Sequence, residues 1–326
     1  MSNKGDKMRN YIARRILLAI PTIFFVSLLV FTLIRLVPGN VLDIMVADYG
    51  TIGQVTPMDR AAIKHALGMD VPIYVQYGKW IDQIVHGNLG KSLWKQTPVI
   101  EDLKVRWPVT FELGILAIII GQLIALPIGI FSALRQDTWG DYIARSIAIL
   151  LIAVPGFWIA TLVIVYPSIW WGYMPPFKLI QFAADPMGNL RMFIVPAIIL
   201  GMGMSGGTMR MTRTMMLEVM RQDYIRTAWA KGLKERIVVT RHALKNALIP
   251  IVTIIGQQAP VLVGGTVIIE SIYNLPGMGR LTVDAISTRD YTVVSACLLL
   301  FSVALVAINL VTDLTYGFLD PRIHYD

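Results

Sequence analysis

Six long stretches without a charged residue leave this chain few folds to choose from. They run over Ile16–Ile34, Leu113–Leu134, Ser146–Phe177, Met192–Met209, Asn246–Ile269 and Tyr291–Thr312. Each is close to, or longer than, the ~20 residues that carry a helix across a bilayer. Charged residues make up only 15% of the 326, against about 25% in a soluble domain. The deficit sits in these stretches, so the expected fold is all-α and polytopic, with six transmembrane helices. The third stretch is overlong. It is expected to hold one helix ending near Pro167, then an interfacial segment carrying Trp170, Trp171 and Tyr173, as aromatic belts do.

The net charge is +8, and its placement says more than its sum. Lys4, Lys7, Arg9, Arg14 and Arg15 precede the first stretch. Arg210, Arg213, Arg221, Arg226, Lys231, Lys234, Arg236, Arg241 and Lys245 fill the segment between the fourth and fifth, opposed only by Glu218, Asp223 and Glu235. The loops at 178–191 and 270–290 are nearly neutral. Positive charge stays in the cytosol, so six spans place both termini inside a cell membrane. Topology explains the basic balance, and no nucleic-acid partner is needed for it. The first stretch is too long for the core of a signal peptide, and Arg35-Leu-Val-Pro-Gly follows it instead of a small-residue cleavage site. It reads as an uncleaved anchor. Cys297 is the only cysteine, which excludes an internal disulfide and a cysteine metal cluster.

The chain thus divides into a cytoplasmic N-terminus and first helix (1–35), an external helical segment (36–110), and a five-helix core (105–320) with a cytoplasmic loop at 210–245. In the external segment, Thr56-Pro57-Met58-Asp59 has the form of a capped helix start, Gly68 closes that helix, and a second helix is expected over Ile73–Val85. Pro127, Pro155, Pro196 and Pro260 fall inside spans, where neighbouring helices can satisfy the freed carbonyls.

Several motifs invite chemistry and fail on spacing. Gly87-Asn-Leu-Gly90-Lys91-Ser92 resembles the end of a phosphate-binding loop, but Val85 stands where that loop needs its first glycine. The chain therefore has no nucleotide site of its own. Gly203-Met-Ser205-Gly206 has the look of an intramembrane serine protease, yet the histidines His65, His86, His242 and His324 all lie outside the apolar stretches, and a serine nucleophile needs a base within reach. Gly201, Gly203, Ser205 and Gly207 fit a close helix-packing surface instead. No ionisable residue lies near the centre of a span, which disfavours a proton-driven carrier. Gln122, Ser205, Thr208, Gln257, Gln258 and Asn309 are polar and uncharged. Each either lines a hydrophilic pathway or makes an interhelical hydrogen bond. The adjacent pair Gln257 and Gln258 points two ways, so one of them should leave the tightest seam.

The basic loop holds the most telling segment. At about 100° per residue, Tyr224, Ile225, Ala228 and Trp229 share one face of a short helix, with Asp223, Arg226, Thr227 and Lys231 opposite. Gly232 follows where a helix often ends in a left-handed residue. A second helix can start at Glu235 and run through Pro250 into the membrane. A short amphipathic helix of this kind suits docking to a soluble partner. Lys/Arg clusters beside membranes also bind anionic lipid, and amphipathicity alone does not separate the two.

The sequence DYIRTAWAKGL followed by RHALKNALIP resembles the cytoplasmic loop of ABC-importer permeases of the peptide/nickel class. The general importer pattern is Glu-Ala-Ala, three residues, then Gly. Here those positions read Arg226, Thr227 and Ala228, with Gly232 as the glycine, and Pro250 lies later than the general pattern puts it. The peptide-class variant is similar to this form. ARRILLAIPTIFFVSLLVFTLIRLVPGN, LGMDVPIYVQYGKWI with HGNLGKSL, ESIYNLPGMGRLTVDAISTRDYTVV and DLTYGFLDPRIHY resemble further blocks of the family in the same order. The external segment after the first helix is similar to that of the first of two paired permeases.

The resemblance implies a type I ABC-importer transmembrane fold and a non-catalytic permease subunit forming half of a pathway for peptides or similar small solutes. It implies a second related permease, two ABC ATPase subunits that bind the ATP and Mg, and an external substrate-binding protein. It makes Tyr224, Ile225, Arg226, Thr227, Ala228, Trp229, Lys231 and Gly232 the ATPase-docking residues, with Ile225 and Trp229 filling a groove on the partner. The alternative is a secondary transporter or channel that works without an ATPase.

Overall fold

A computed structural model describes residues 4–36, 70–174, 176, 178–264 and 266–319. The first helix, α1 (Lys4–Leu36), is followed by α2 (Ile73–Val85), α3 (Val99–Leu134), α4 (Trp139–Ala153), α5 (Gly156–Trp171), α6 (Pro186–Met220) and α7 (Asp223–Ala230). A single turn at Glu235–Ile237 and a π-helical segment at Val238–Ala243 lead into α8 (Leu244–Gln258). A 3₁₀ turn (Ala259–Leu262), α9 (Val267–Ile272), α10 (Met278–Ser287) and α11 (Tyr291–Leu319) complete the described chain. Among the described residues the only β-type pairing is an isolated bridge between Lys91 and Pro98. The helix expected around Thr56–Asp59, and Gly68 with it, lies outside the described residues; α2 falls on Ile73–Val85 as the spacing predicts.

Among the described residues four helices are long and apolar enough to cross a membrane: Ala13–Leu33, Val99–Leu134, Pro186–Met220 and Tyr291–Thr312. Two bent pairs bring the number to six if each is one span, Trp139–Ala153 with Gly156–Trp171 at 88° and Glu235–Leu248 with Pro250–Leu262 at 53°. The third apolar stretch therefore differs from expectation. It does not hold one helix ending near Pro167; it breaks at Val154–Pro155 and then runs through Pro167 to Trp171. The residue before a proline is pushed out of the α region, and Val154 is extended at φ −84°, ψ 122°. Gly172, left-handed at φ 64°, ends the second arm. The fifth stretch is not one span through Ile269 either, since the helix bends near Pro250 and ends in the 3₁₀ turn that contains Pro260. Pro127 and Pro196 stay inside their helices.

The chain forms two units, Met1–Ile12 with Pro108–Arg280 and Ala307–Asp326, and Ala13–Trp107 with Leu281–Val306. In the larger unit, Val109, Leu113, Ala160, Phe193, Ala197 and Leu275 form one apolar cluster. Close approach of α3, α4 and α6 rests on small residues. A Cβ on Gly201 would lie 2.6 Å from the Ala117 carbonyl oxygen, and one on Gly206 would lie 2.6 Å from that of Ala148. Gly203 and Gly207, expected to share this surface, meet nothing within 4 Å. The packing glycines of α6 are thus Gly201 and Gly206; from α3, Gly121 faces Gly201 and Gly129 packs on Met209 and Thr212.

A buried acid ties the end of this unit together. The Glu270 carboxylate is fully buried and accepts from Thr110 Oγ1 at 2.7 Å, Thr266 Oγ1 at 2.6 Å and the Arg280 amide at 3.0 Å. Thr110 Oγ1 in turn accepts from the Met278 amide at 2.8 Å. Gly277 lies so close that any Cβ there would collide with the carboxylate.

The smaller unit has its own latch. Asp290 is buried and accepts from Ser92 Oγ at 2.5 Å and the Leu93 amide at 3.1 Å, while its other oxygen accepts from the Val293 amide at 3.2 Å. Trp94 Nε1 donates to the Thr288 carbonyl at 2.8 Å. Gly90, at φ 85°, packs where a Cβ would meet Thr292. The Gly87–Ser92 segment is thus a turn seated on the start of α11. On α1, Phe31 packs on Tyr77 and Trp80 of α2, with ring centroids 5.2 and 5.5 Å apart.

Two outcomes follow from this packing. Gly201→Val should destabilise the detergent-solubilised protein by about 1–3 kcal/mol through overpacking, while Gly203→Val should change it by less than about 0.5 kcal/mol; thermal unfolding compares them, and equal effects would contradict the packing described. Glu270→Ala removes the acceptor of two buried hydroxyls, at about 1–3 kcal/mol each, and of the part-buried Arg280 amide. It should sharply lower the yield of protease-resistant, membrane-inserted protein, and wild-type yield would show that the knot is dispensable.

Candidate docking helix and polar seam

Helix α7 turns one side into the protein and the other outward. Ile225 and Ala228 are buried against Met216, Val238, Val239, Ala243 and Ala247, a core shared by α6, the π-helical segment and α8. Tyr224 and Trp229 flank that side and remain 43% and 41% exposed. Arg226, Thr227, Lys231 and Gly232 are exposed. The apolar face read from the sequence is therefore split. Ile225 fills a groove of its own chain, because a period of 3.6 places it and Ala228 squarely on α6 and α8. Six of the eight expected docking residues remain at the surface, and Ile225 and Ala228 anchor them.

The helix is held at both ends. Thr227 Oγ1 donates to the Asp223 carbonyl at 3.0 Å, and Arg226 pairs with Asp223 at 3.2 Å in solvent. Asn246 Nδ2 of α8 donates to Tyr224 Oη at 2.8 Å. At the other end Gly232 has φ 75°. Its amide donates to the Trp229 carbonyl at 2.9 Å and the Leu233 amide to that of Ala228 at 3.4 Å, the paired bonds of a Schellman cap. The left-handed glycine expected from the sequence is present, and open space surrounds its α-carbon.

The polar residues of the spans separate into two sets. Gln258 Nε2 donates to the Met204 carbonyl and to Thr208 Oγ1, both at 3.0 Å, while its Oε1 accepts from Gln122 Nε2 at 3.0 Å. This seam joins α3, α6 and α8. Ser205 and Thr208 are fully buried, and Ser205 Oγ donates back to the Met202 carbonyl at 2.7 Å. Gln122, Gln258 and Thr208 thus hold helices together in this conformation, while Ser205 bonds within its own helix. Gln257 and Asn309 are exposed. The neighbouring glutamines do point two ways, Gln258 into the seam and Gln257 out of it.

Sequence reasoning missed the charged groups at the ends of the spans. Asp141 of α4 is fully buried and bonded by Arg213 of α6 through Nε and Nη2, each at 2.7 Å. The seemingly loop-bound Arg210 and Arg213 lie on α6, which runs on to Met220. A lone acid four residues before Arg145, next to an apolar run, was the available signal.

A family model described as "Binding-protein-dependent transport system inner membrane component" matches residues 125–325, and the N-terminal model of the same systems matches residues 8–114. A Brucella suis relative, named as a peptide transport system permease, is 40% identical over 98% of this chain and 100% of its own length. The di/tripeptide transport system permease of Pseudomonas aeruginosa is 37% identical over 98% of this chain and 99% of its own length. The dipeptide transport system permease of Escherichia coli is 36% identical over the same shares. A crystal structure of an amino acid ABC transporter aligns at TM-score 0.49 and 15% identity, over 73% of this chain and 98% of that one; the assignment rests on the sequence matches. With both family models and full-length relatives on its residues, this chain belongs to the inner membrane components of binding-protein-dependent transport systems, the non-catalytic permeases of ABC importers.

Proposed function

We propose that this permease is one of two paired membrane subunits of a peptide importer and that α7 is its contact with an ATPase subunit. The observation that carries the reading is the split of α7. Ile225 and Ala228 fix it to α6 and α8, while Tyr224, Arg226, Trp229 and Lys231 face outward. A helix gripped by two spans and exposed on its far side converts a push on Trp229 into movement of those spans. Peptide cargo is supported by the names of the relatives. ATP and Mg are held by two partner ATPases, and an external binding protein delivers the substrate. Gln257 and Asn309, free of the seam, are the best placed to meet cargo or the second permease. Lys/Arg placement supports an orientation with both termini and residues 210–245 in the cytosol and 36–110 outside.

Docking is tested with two substitutions. Gly232→Val puts a β-branched residue at positive φ, costing roughly 1 kcal/mol or more, and tilts α7. Trp229→Ala removes an exposed aromatic anchor of the kind often worth about 2 kcal/mol or more at an interface. Both variants should insert normally yet lose ATPase co-purification and uptake. Retention of both at matched membrane levels would sink the docking role. Orientation is tested with single cysteines at Ser2, Asp59 and Lys234 in a Cys297→Ala background. An impermeant thiol reagent should label only the Asp59 site in intact cells, and labelling at Lys234 would reverse the topology.

A further inference from the structure

A cleft of about 210 Å³ opens between α4 and α6, lined by Arg145, Arg210 and Arg213 and, one turn deeper, by Ala148, Ile149 and Met209. No acid lines it. Asp141 lies beneath, and its carboxylate is saturated. It accepts from Arg213 Nε and Nη2, from Ser132 Oγ at 2.5 Å and from the Asp137 amide at 3.0 Å. Arg145 Nε, buried and without a hydrogen bond, makes a 3.5 Å ion pair with the same Asp141 carboxylate, and its guanidinium lies over the Tyr142 ring at 4.5 Å. One acid is thus shared by two arginines, most tightly by Arg213. Arg210 has no ion-pair partner among the described residues. Three arginines against one acid therefore leave an excess of positive charge in an apolar-walled cleft.

The surroundings say which anion fits. Trp139 and Tyr142, at the start of α4, are 83% and 50% exposed, as aromatics at the headgroup level are. Beyond them Ile149 and Leu150 present exposed apolar surface along the same helix. Cationic pockets between spans on the cytoplasmic side suit anionic lipid headgroups. We infer that Arg145 and Arg210 bind the phosphate of an anionic phospholipid of the inner leaflet, with its acyl chain lying along Ile149. Arg213, tied to Asp141, positions the cleft instead of contributing free charge. This site rests on the orientation proposed above, which the cysteine labelling tests separately.

The test uses the full chain with its transport partners in nanodiscs of phosphatidylcholine with or without phosphatidylglycerol. Lipid retained after purification is quantified by mass spectrometry, alongside thermal unfolding. Wild type should retain phosphatidylglycerol and unfold at higher temperature in its presence. The double variant Arg145→Gln/Arg210→Gln should lose that preference by on the order of tenfold or more, with ATPase association intact. Arg145→Lys/Arg210→Lys should keep most of it. The site is refuted if wild type shows no preference, if the glutamine variant retains lipid equally, or if inorganic phosphate alone gives the same protection. Crosslinking of a cysteine at Arg210 to the second permease would equally overturn it.

Discussion

The buried carboxylate of Glu270 is the interaction on which the larger unit most depends. It gathers Thr110 from the long helix α3, Thr266 from the turn before its own helix, and the Arg280 amide from α10. A charge removed from water is tolerated only when every lone pair finds a donor, so these three segments have one arrangement in common. Gly277 exists to let the chain close over it. Asp290 and Asp141 repeat the principle elsewhere, each bonded by donors both near in sequence and distant. The apolar spans supply bulk; the acids at their ends fix register.

Those joints leave the middle of the spans to weaker, more adjustable contacts. The Gln122–Gln258–Thr208 seam is uncharged, and interhelical bonds of this kind contribute about 0.6–2 kcal/mol. Glycines bring α3, α4 and α6 together without large side chains to lock their slide. Firm ends and a soft middle suit a helix bundle that must adopt two packings during transport. Helix α7 fits the same scheme, since its anchors Ile225 and Ala228 sit in a core built from α6 and α8, the helices on either side of it.

Much of this was legible from residue order. Charge-free stretches located the spans, and α2 appeared where periodicity placed it. The glycine at 232 carried its own conformational signature. Other features were not legible, for identifiable reasons. Ile225 and Trp229 look equivalent on a helical projection, and only the packing of α6 and α8 tells inside from outside. Gly203 and Gly207 have the spacing of a packing motif, but the helix rotates them away and presents Gly201 and Gly206. Glu270 follows an apolar run as any solvated residue might, and its role emerges only when residue 110 arrives beside it.

The break between Val154 and Pro155 has a mechanical meaning. The hydrogen-bond ladder of α4 closes on the Val154 amide, and that of α5 opens from the Pro155 carbonyl. Neither ladder crosses the joint. The 88° angle therefore turns on Val154 and Pro155, both extended, and rotation about these two residues would swing α5 like a door on its hinge, without rupturing a rung on either side.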